Sequence, residues 1–237
     1  MTDTLDRALD RLLHNSALRA RWIAGEAVFD LDDDDREALR CVDGAQLDAM
    51  AALVRDEVWR RTHRGTGALG ELFAETVAAW RAKAPDDARC ERMVDRFVAS
   101  EAFARHRALP YAGEGCSIEE AFFAWCTDEG IGDDAVRERE FLSAMARALT
   151  MCPAPEFQVP AVFRRVARGW CAVSTGATPV LYAALDGRCV TGAVTPFVGA
   201  LARGAERVEV IAERYGVEAE ACEAVVRELR TLGLLDA

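Results

Sequence analysis

The chain changes its hydrophobic period once. Up to about residue 152 the apolar positions recur three and four apart, the period of a helix. Leu5, Leu9, Leu12 and Leu13 mark a first helix opening at Asp3 or Thr4, and Leu18, Trp22 and Ile23 mark a second. Further helices are predicted over 36–41, 45–61, 68–83 and 86–106. In 45–61 the large residues Leu47, Met50, Leu53, Val54 and Trp59 are expected to point inward. Ser117 and Glu120, three apart, form a capping box at the head of a helix that ends at Gly130. Phe122, Phe123 and Trp125 follow it and cover more than one face, so they serve either core packing or a partner-contact patch. Asp133 opens the last helix of this half. Pro153, Pro155 and Pro160 then break regular structure.

Beyond the prolines the pattern turns extended. Strands are predicted over 163–167, 170–174 and 180–185, with Gly176 and Pro179 turning the chain before the third and Asp186-Gly187 ending it. Three short helices follow. Thr195-Pro196 opens the first, and the three are closed by Gly204, Gly216 and Gly233. On the last helix Val217, Ala221, Val225, Leu229 and Leu232 define an apolar face, with Glu220, Glu223, Arg227 and Arg230 opposite. The fold class expected is α+β: an all-α helical domain at residues 1–152 and a small winged-helix-like domain of three strands and three helices at residues 153–237.

Charge narrows the partners. The 237 residues carry a net charge of -11, which disfavours non-specific binding to nucleic acid or to an anionic membrane. The candidate recognition helix is itself net negative, with Glu218, Glu220, Glu223 and Glu228 against Arg227 and Arg230. A transcriptional regulator with a helical sensor domain is therefore the second reading, since phosphates call for a basic face. No apolar run is long enough to span a bilayer, and the acidic start of the chain does not resemble a signal peptide. A cytoplasmic protein is expected.

Candidate chemistry is sparse. The eight cysteines form no CxxC pair and the three histidines no HxH or HxxxH pair, so neither a dedicated metal site nor a cofactor is expected. Asp32-Asp33-Asp34-Asp35 lacks the glycine and glutamate of a calcium loop and reads as a charged helix start. The stretch from Arg60 to Gly67 is the only local basic cluster, a solvated loop or a binding patch. No hydrolase, protease, nucleotide-binding or kinase signature is present, and an enzyme with dispersed catalytic residues is the third reading.

Two stretches carry resemblances. LDDDDREAL and VDGAQLDAM, in the N-terminal part, resemble the helical subunit that accompanies extradiol ring-opening dioxygenases. LYAALDG and the ending VVRELRTLGLL resemble the peptide-recognition element of ribosomal peptide natural-product pathways, a winged helix. The middle, SIEEAFFAWCTDEGIG with EREFLSAMARAL, is similar to accessory proteins that pair with multinuclear non-heme iron oxidative enzymes in those pathways. The resemblance implies a non-catalytic accessory protein whose partners are a precursor (leader) peptide and such an iron enzyme. No iron ligands transfer to this chain. It implies a peptide added as a strand along the third strand at Val180, Leu181, Tyr182 and Ala183, with Glu223, Arg227 and Arg230 on the groove side. Phe122, Phe123 and Trp125 would then face the partner enzyme.

Overall fold

A computed structural model describes residues 3–60, 66–83, 88–107, 116–155 and 157–235. Ten helices come first: α1 (Leu5–His14), α2 (Ser16–Ile23), α3 (Asp33–Arg40), α4 (Gly44–Arg60), α5 (Leu69–Leu72), α6 (Ala74–Ala82), α7 (Ala88–Val98), α8 (Glu101–Arg107), α9 (Ile118–Asp128) and α10 (Asp134–Met151). Then come strands β1 (Arg164–Val166), β2 (Gly169–Val173), β3 (Val180–Leu185) and β4 (Arg188–Ala193), and helices α11 (Pro196–Arg203), α12 (Val208–Tyr215) and α13 (Ala219–Thr231). The fold is α+β, with a helical N-terminal part and one antiparallel sheet in the order β1-β2-β3-β4.

Local chemistry sets the helix starts. Asp32 caps α3 by accepting from the Asp35 N–H at 2.8 Å. The Asp35 carboxylate accepts from the Leu5 N–H at 3.0 Å, so the acidic run also ties α3 to α1. Ser117 caps α9 by accepting from the Glu120 N–H at 3.1 Å. Two predicted helices are each divided. The 68–83 helix breaks at Phe73, whose φ of -115° and ψ of 42° leave the helical region while its ring is fully buried. The 86–106 helix breaks before Ser100, whose hydroxyl accepts from the Phe103 N–H at 3.2 Å and restarts the chain as α8.

α1 to α4 enclose a small core of Ala8, Leu12, Leu31, Leu39 and Leu47. Buried Arg19 holds its edge, donating to the Leu12 carbonyl at 2.6 Å and to Asp48 at 2.6 Å. The inward face of α4 is Leu47, Ala51 and Val58. Met50 and Leu53, expected inside, are 48% and 71% exposed. Ala51 takes the position that size alone assigned to its larger neighbours.

The main core runs from α4 through α10 and into the sheet. It contains Phe73, Phe97, Phe122, Trp125, Leu142 and Met145 from the helices, and Phe157, Phe163, Ala172, Tyr182 and Ala184 from beyond the prolines. The prolines thus separate helix from sheet in sequence but do not separate two cores. α10 packs across β2, β3 and β4. Nearly buried Glu140 of α10 fixes the helical layer, accepting from the Glu75 N–H at 2.7 Å, the Thr76 N–H at 3.1 Å and the Thr76 hydroxyl at 2.6 Å. Those groups lie at the start of α6, where helix N–H groups lack partners of their own.

The sheet is covered on both faces, as the two-residue alternation of a strand allows. Tyr182 and Ala184 face α10. Leu181 and Ala183 face a third core with Cys171, Val173, Phe197, Leu201, Val226 and Leu229. The buried stripe of α13 is Cys222, Val226 and Leu229. Of the predicted stripe only Leu229 is buried; Ala221 and Leu232 are exposed. A cysteine stands at the core position, and small residues carry little weight in a hydrophobic periodicity.

Three strands were expected and four are present among the described residues. Asp186 and Gly187 do not end the sheet. They have φ of 48° and 73°, the left-handed pair that a two-residue hairpin needs, and turn β3 into β4. Gly169 marks a close approach at the same end of β3, on its β2 side, where it stands opposite Leu185: a Cβ there would lie 1.9 Å from the Ala184 carbonyl oxygen.

Candidate functional site

β3 is a central strand. Its residues pair with β2 on one side and with β4 on the other, from Leu185–Arg188 to Val180–Ala193. Both ladders are occupied, so no peptide can add along Val180, Leu181, Tyr182 and Ala183 while this sheet is intact. Leu181, Tyr182 and Ala183 are also 7% exposed or less. Burial pushes the Tyr182 hydroxyl above its ordinary pKa, with Arg139 opposing and Glu138 assisting. This corrects the strand expected to receive a peptide. β3 is shut on both edges because the hairpin at Asp186-Gly187 returns one more strand.

Among the described residues β1 and β4 are the two edge strands, and the longer edge belongs to β4. It is six residues long, all six are exposed, and it stands last in the sheet order. Side chains directly opposite share a face. Cys189, Thr191 and Ala193 therefore lie toward α10, and Arg188, Val190 and Gly192 toward α11–α13. The ladder parity is fixed at the far end of the hairpin, where the Val194 N–H donates to the Pro179 carbonyl at 2.9 Å. Antiparallel residues alternate between bonding inward and outward. Arg188, Val190 and Gly192 thus bond to β3, and Cys189, Thr191 and Ala193 turn their N–H and C=O groups to the open edge.

The remaining expected residues divide. Glu223, Arg227 and Arg230 are exposed along the outer side of α13. Phe122 and Trp125 are core residues, fully buried and 3% exposed. Phe122 lies 5.0 Å from both Phe73 and Phe97 between ring centroids, and Trp125 lies 5.6 Å from Phe97. Neither ring can reach a partner, which corrects the expected contact patch at Phe122 and Trp125. Phe123 is half-exposed and stacks on Phe141 at 4.3 Å. In the basic stretch, exposed Arg60 pairs with Asp56 at 2.9 Å, and residues 61–65 lie outside the described residues.

Among the described residues no three or more His, Cys, Asp and Glu side chains are grouped to hold a metal ion, and no helix is long and apolar enough to cross a membrane. Cys126 and Cys171 are buried thiols, their pKa values raised by desolvation. The sequence signal for β4 was present in Asp186-Gly187, a strong short-range hairpin signal when apolar runs flank it. No family model matches this chain, and no curated protein and no solved structure matches it.

Proposed function

We propose that this protein is a non-catalytic accessory subunit that captures a ribosomally made precursor peptide and holds it to a partner iron-dependent modifying enzyme. Residues 153–237 serve as a winged-helix-like recognition unit with one additional strand. One observation carries the reading: among the described residues β4 offers a six-residue antiparallel edge, unpaired on its outer side, directly before three short helices. Such an edge binds an extended peptide through main-chain hydrogen bonds, and natural proteins usually cover or blunt an edge that has no use. The resemblance of the C-terminal part to peptide-recognition elements supports the class of ligand, and that of the middle supports an iron enzyme as second partner. The exposed charges of α13, Glu220, Glu223 and Glu228 against Arg227 and Arg230, speak against a DNA phosphate backbone.

The test is fluorescence polarisation of the 237-residue chain against the labelled leader half of any short precursor peptide found encoded beside its gene. Saturable micromolar binding is expected, and the complex should co-elute with an iron enzyme encoded with that peptide. Absence of saturable binding to that leader would overturn the reading.

A further inference from the structure

A second surface lies on α9, and none of its lining residues belongs to β4. Glu120, Phe123, Thr127 and Asp128 share one helical stripe, and Phe141 of α10 and Val162 of the segment before β1 complete a trench of about 410 Å³. Its floor is the stacked pair Phe123–Phe141, with centroids 4.3 Å apart and ring planes 11° from parallel. Val162, 41% exposed, forms a wall. Among the described residues the lining contains two carboxylates and no basic side chain. Half-buried Glu120 is poorly solvated, and burial raises its pKa against the opposing pull of Arg105, which stands outside the lining. A cation placed beside Glu120 would restore what the carboxylate has lost from water.

The spacing specifies the ligand. Residues 120 and 128 are eight apart on a helix, about 12 Å along its axis. An extended chain covers that length in about four residues at roughly 3.3 Å each, and residues i, i+2 and i+4 of it point to one side. We propose that the trench docks an extended segment of the partner enzyme carrying a basic residue, an apolar anchor two positions on, and a second basic residue two beyond that. The anchor seats on Phe123–Phe141 while the two cations meet Glu120 and Asp128. This deepens the accessory-subunit reading and rests on it only for the identity of the partner.

The probe is a fluorescein-labelled pentapeptide, lysine-serine-tryptophan-serine-lysine with blocked ends, titrated into the full chain. A second peptide replaces both lysines by glutamate, and a third moves the lysines beside the tryptophan, which turns them to the opposite face. Saturable binding of the first is expected, about tenfold or more tighter than either control. Val162→Asp and Asp128→Lys, both at exposed positions, should each weaken it by about fivefold or more. Equal binding of the three peptides, no saturable binding, or indifference to both substitutions overturns the proposal. Competition by the leader peptide would give the trench to the substrate and overturn its assignment to the enzyme. Thr191→Pro, on the β4 edge, should leave pentapeptide binding unchanged while weakening leader binding by about tenfold or more. Failure of the leader to bind the parent protein tells against the accessory reading without touching the pentapeptide result.

Discussion

Two adjacent proline substitutions separate the inner and outer sides of β4. The Val190 position bonds inward to Ala183 of β3, and the Thr191 position presents its N–H outward. Proline removes the N–H and is tolerated in sheets where that group faces solvent. Val190→Pro therefore strands the carbonyl of Ala183, a residue with no exposed surface. An orphaned buried acceptor costs about 1–3 kcal/mol, before any clash of the ring. For a chain of this size each kcal/mol lowers the melting temperature by about 2–4 °C. Thr191→Pro should leave circular dichroism and melting close to the parent.

Its effect should fall on the peptide. One lost main-chain bond is worth about 0.5–1.5 kcal/mol, and stranding the peptide's carbonyl raises this toward about 3 kcal/mol. At 1.4 kcal/mol per factor of ten, the expected loss of affinity is about tenfold or more. Fluorescence polarisation with the leader peptide measures it. A folded Thr191→Pro protein that binds the leader as tightly as the parent would refute strand addition at β4. A Val190→Pro protein with unchanged melting would refute the parity on which the pair is built.

Other outcomes follow from the packing. Glu140→Ala removes the acceptor of three donors at the start of α6 and should cost about 3 kcal/mol, read as a fall in melting temperature, with Glu140→Gln recovering part of it. Gly169→Ala places a methyl 1.9 Å from a backbone oxygen and should destabilise by about 3 kcal/mol or more in thermal or urea unfolding. Exposed Cys41 and Cys189 should react first with a thiol-specific disulfide reagent. Cys126, buried and with its thiol raised well above the ordinary range by desolvation, should react only on unfolding. Bound leader peptide should slow Cys189 and leave Cys41 unchanged, as followed by mass spectrometry of the labelled peptides.

The sequence was readable where one interaction decides the structure. Ser117 at the head of α9, Asp133 at the head of α10 and Thr195-Pro196 at the head of α11 each mark a helix start, because a cap is local. β3 was bounded correctly at Val180 and Leu185 for a similar reason, with turn residues flanking an apolar run. The faces of α4 and α13 were not readable, because which side of a helix is buried depends on what packs there. Ala51 and Cys222 sit inside while Met50, Leu53 and Leu232 sit outside. Phe122 and Phe123 are neighbours in sequence, yet one is sealed among four rings and the other opens onto a trench. No local pattern distinguishes them. β4 is lost to a reading that ends the sheet at Asp186-Gly187, because two consecutive left-handed residues reverse a chain and send it back along its own edge.

The shared core bears on how a captured peptide would be presented. α10 is both the backbone of the helical half and the floor beneath β2–β4. Its Glu138 accepts from the Thr175 N–H and hydroxyl, each at 3.0 Å, which pins the β2–β3 loop. Its Phe141 lines the trench on α9, and its Leu142 and Met145 lie in one core with Tyr182 and Ala184 of β3. Turning the sheet against the helices would pull these side chains out of a common apolar interior, at roughly 25 cal/mol for each Å² exposed. Domains joined only by a linker move freely by default, whereas here a single helix serves both surfaces. A strand added to β4 would therefore hold a fixed distance and angle to a protein seated on α9, and this would make the chain a rigid jig that sets which residue of the peptide meets the enzyme.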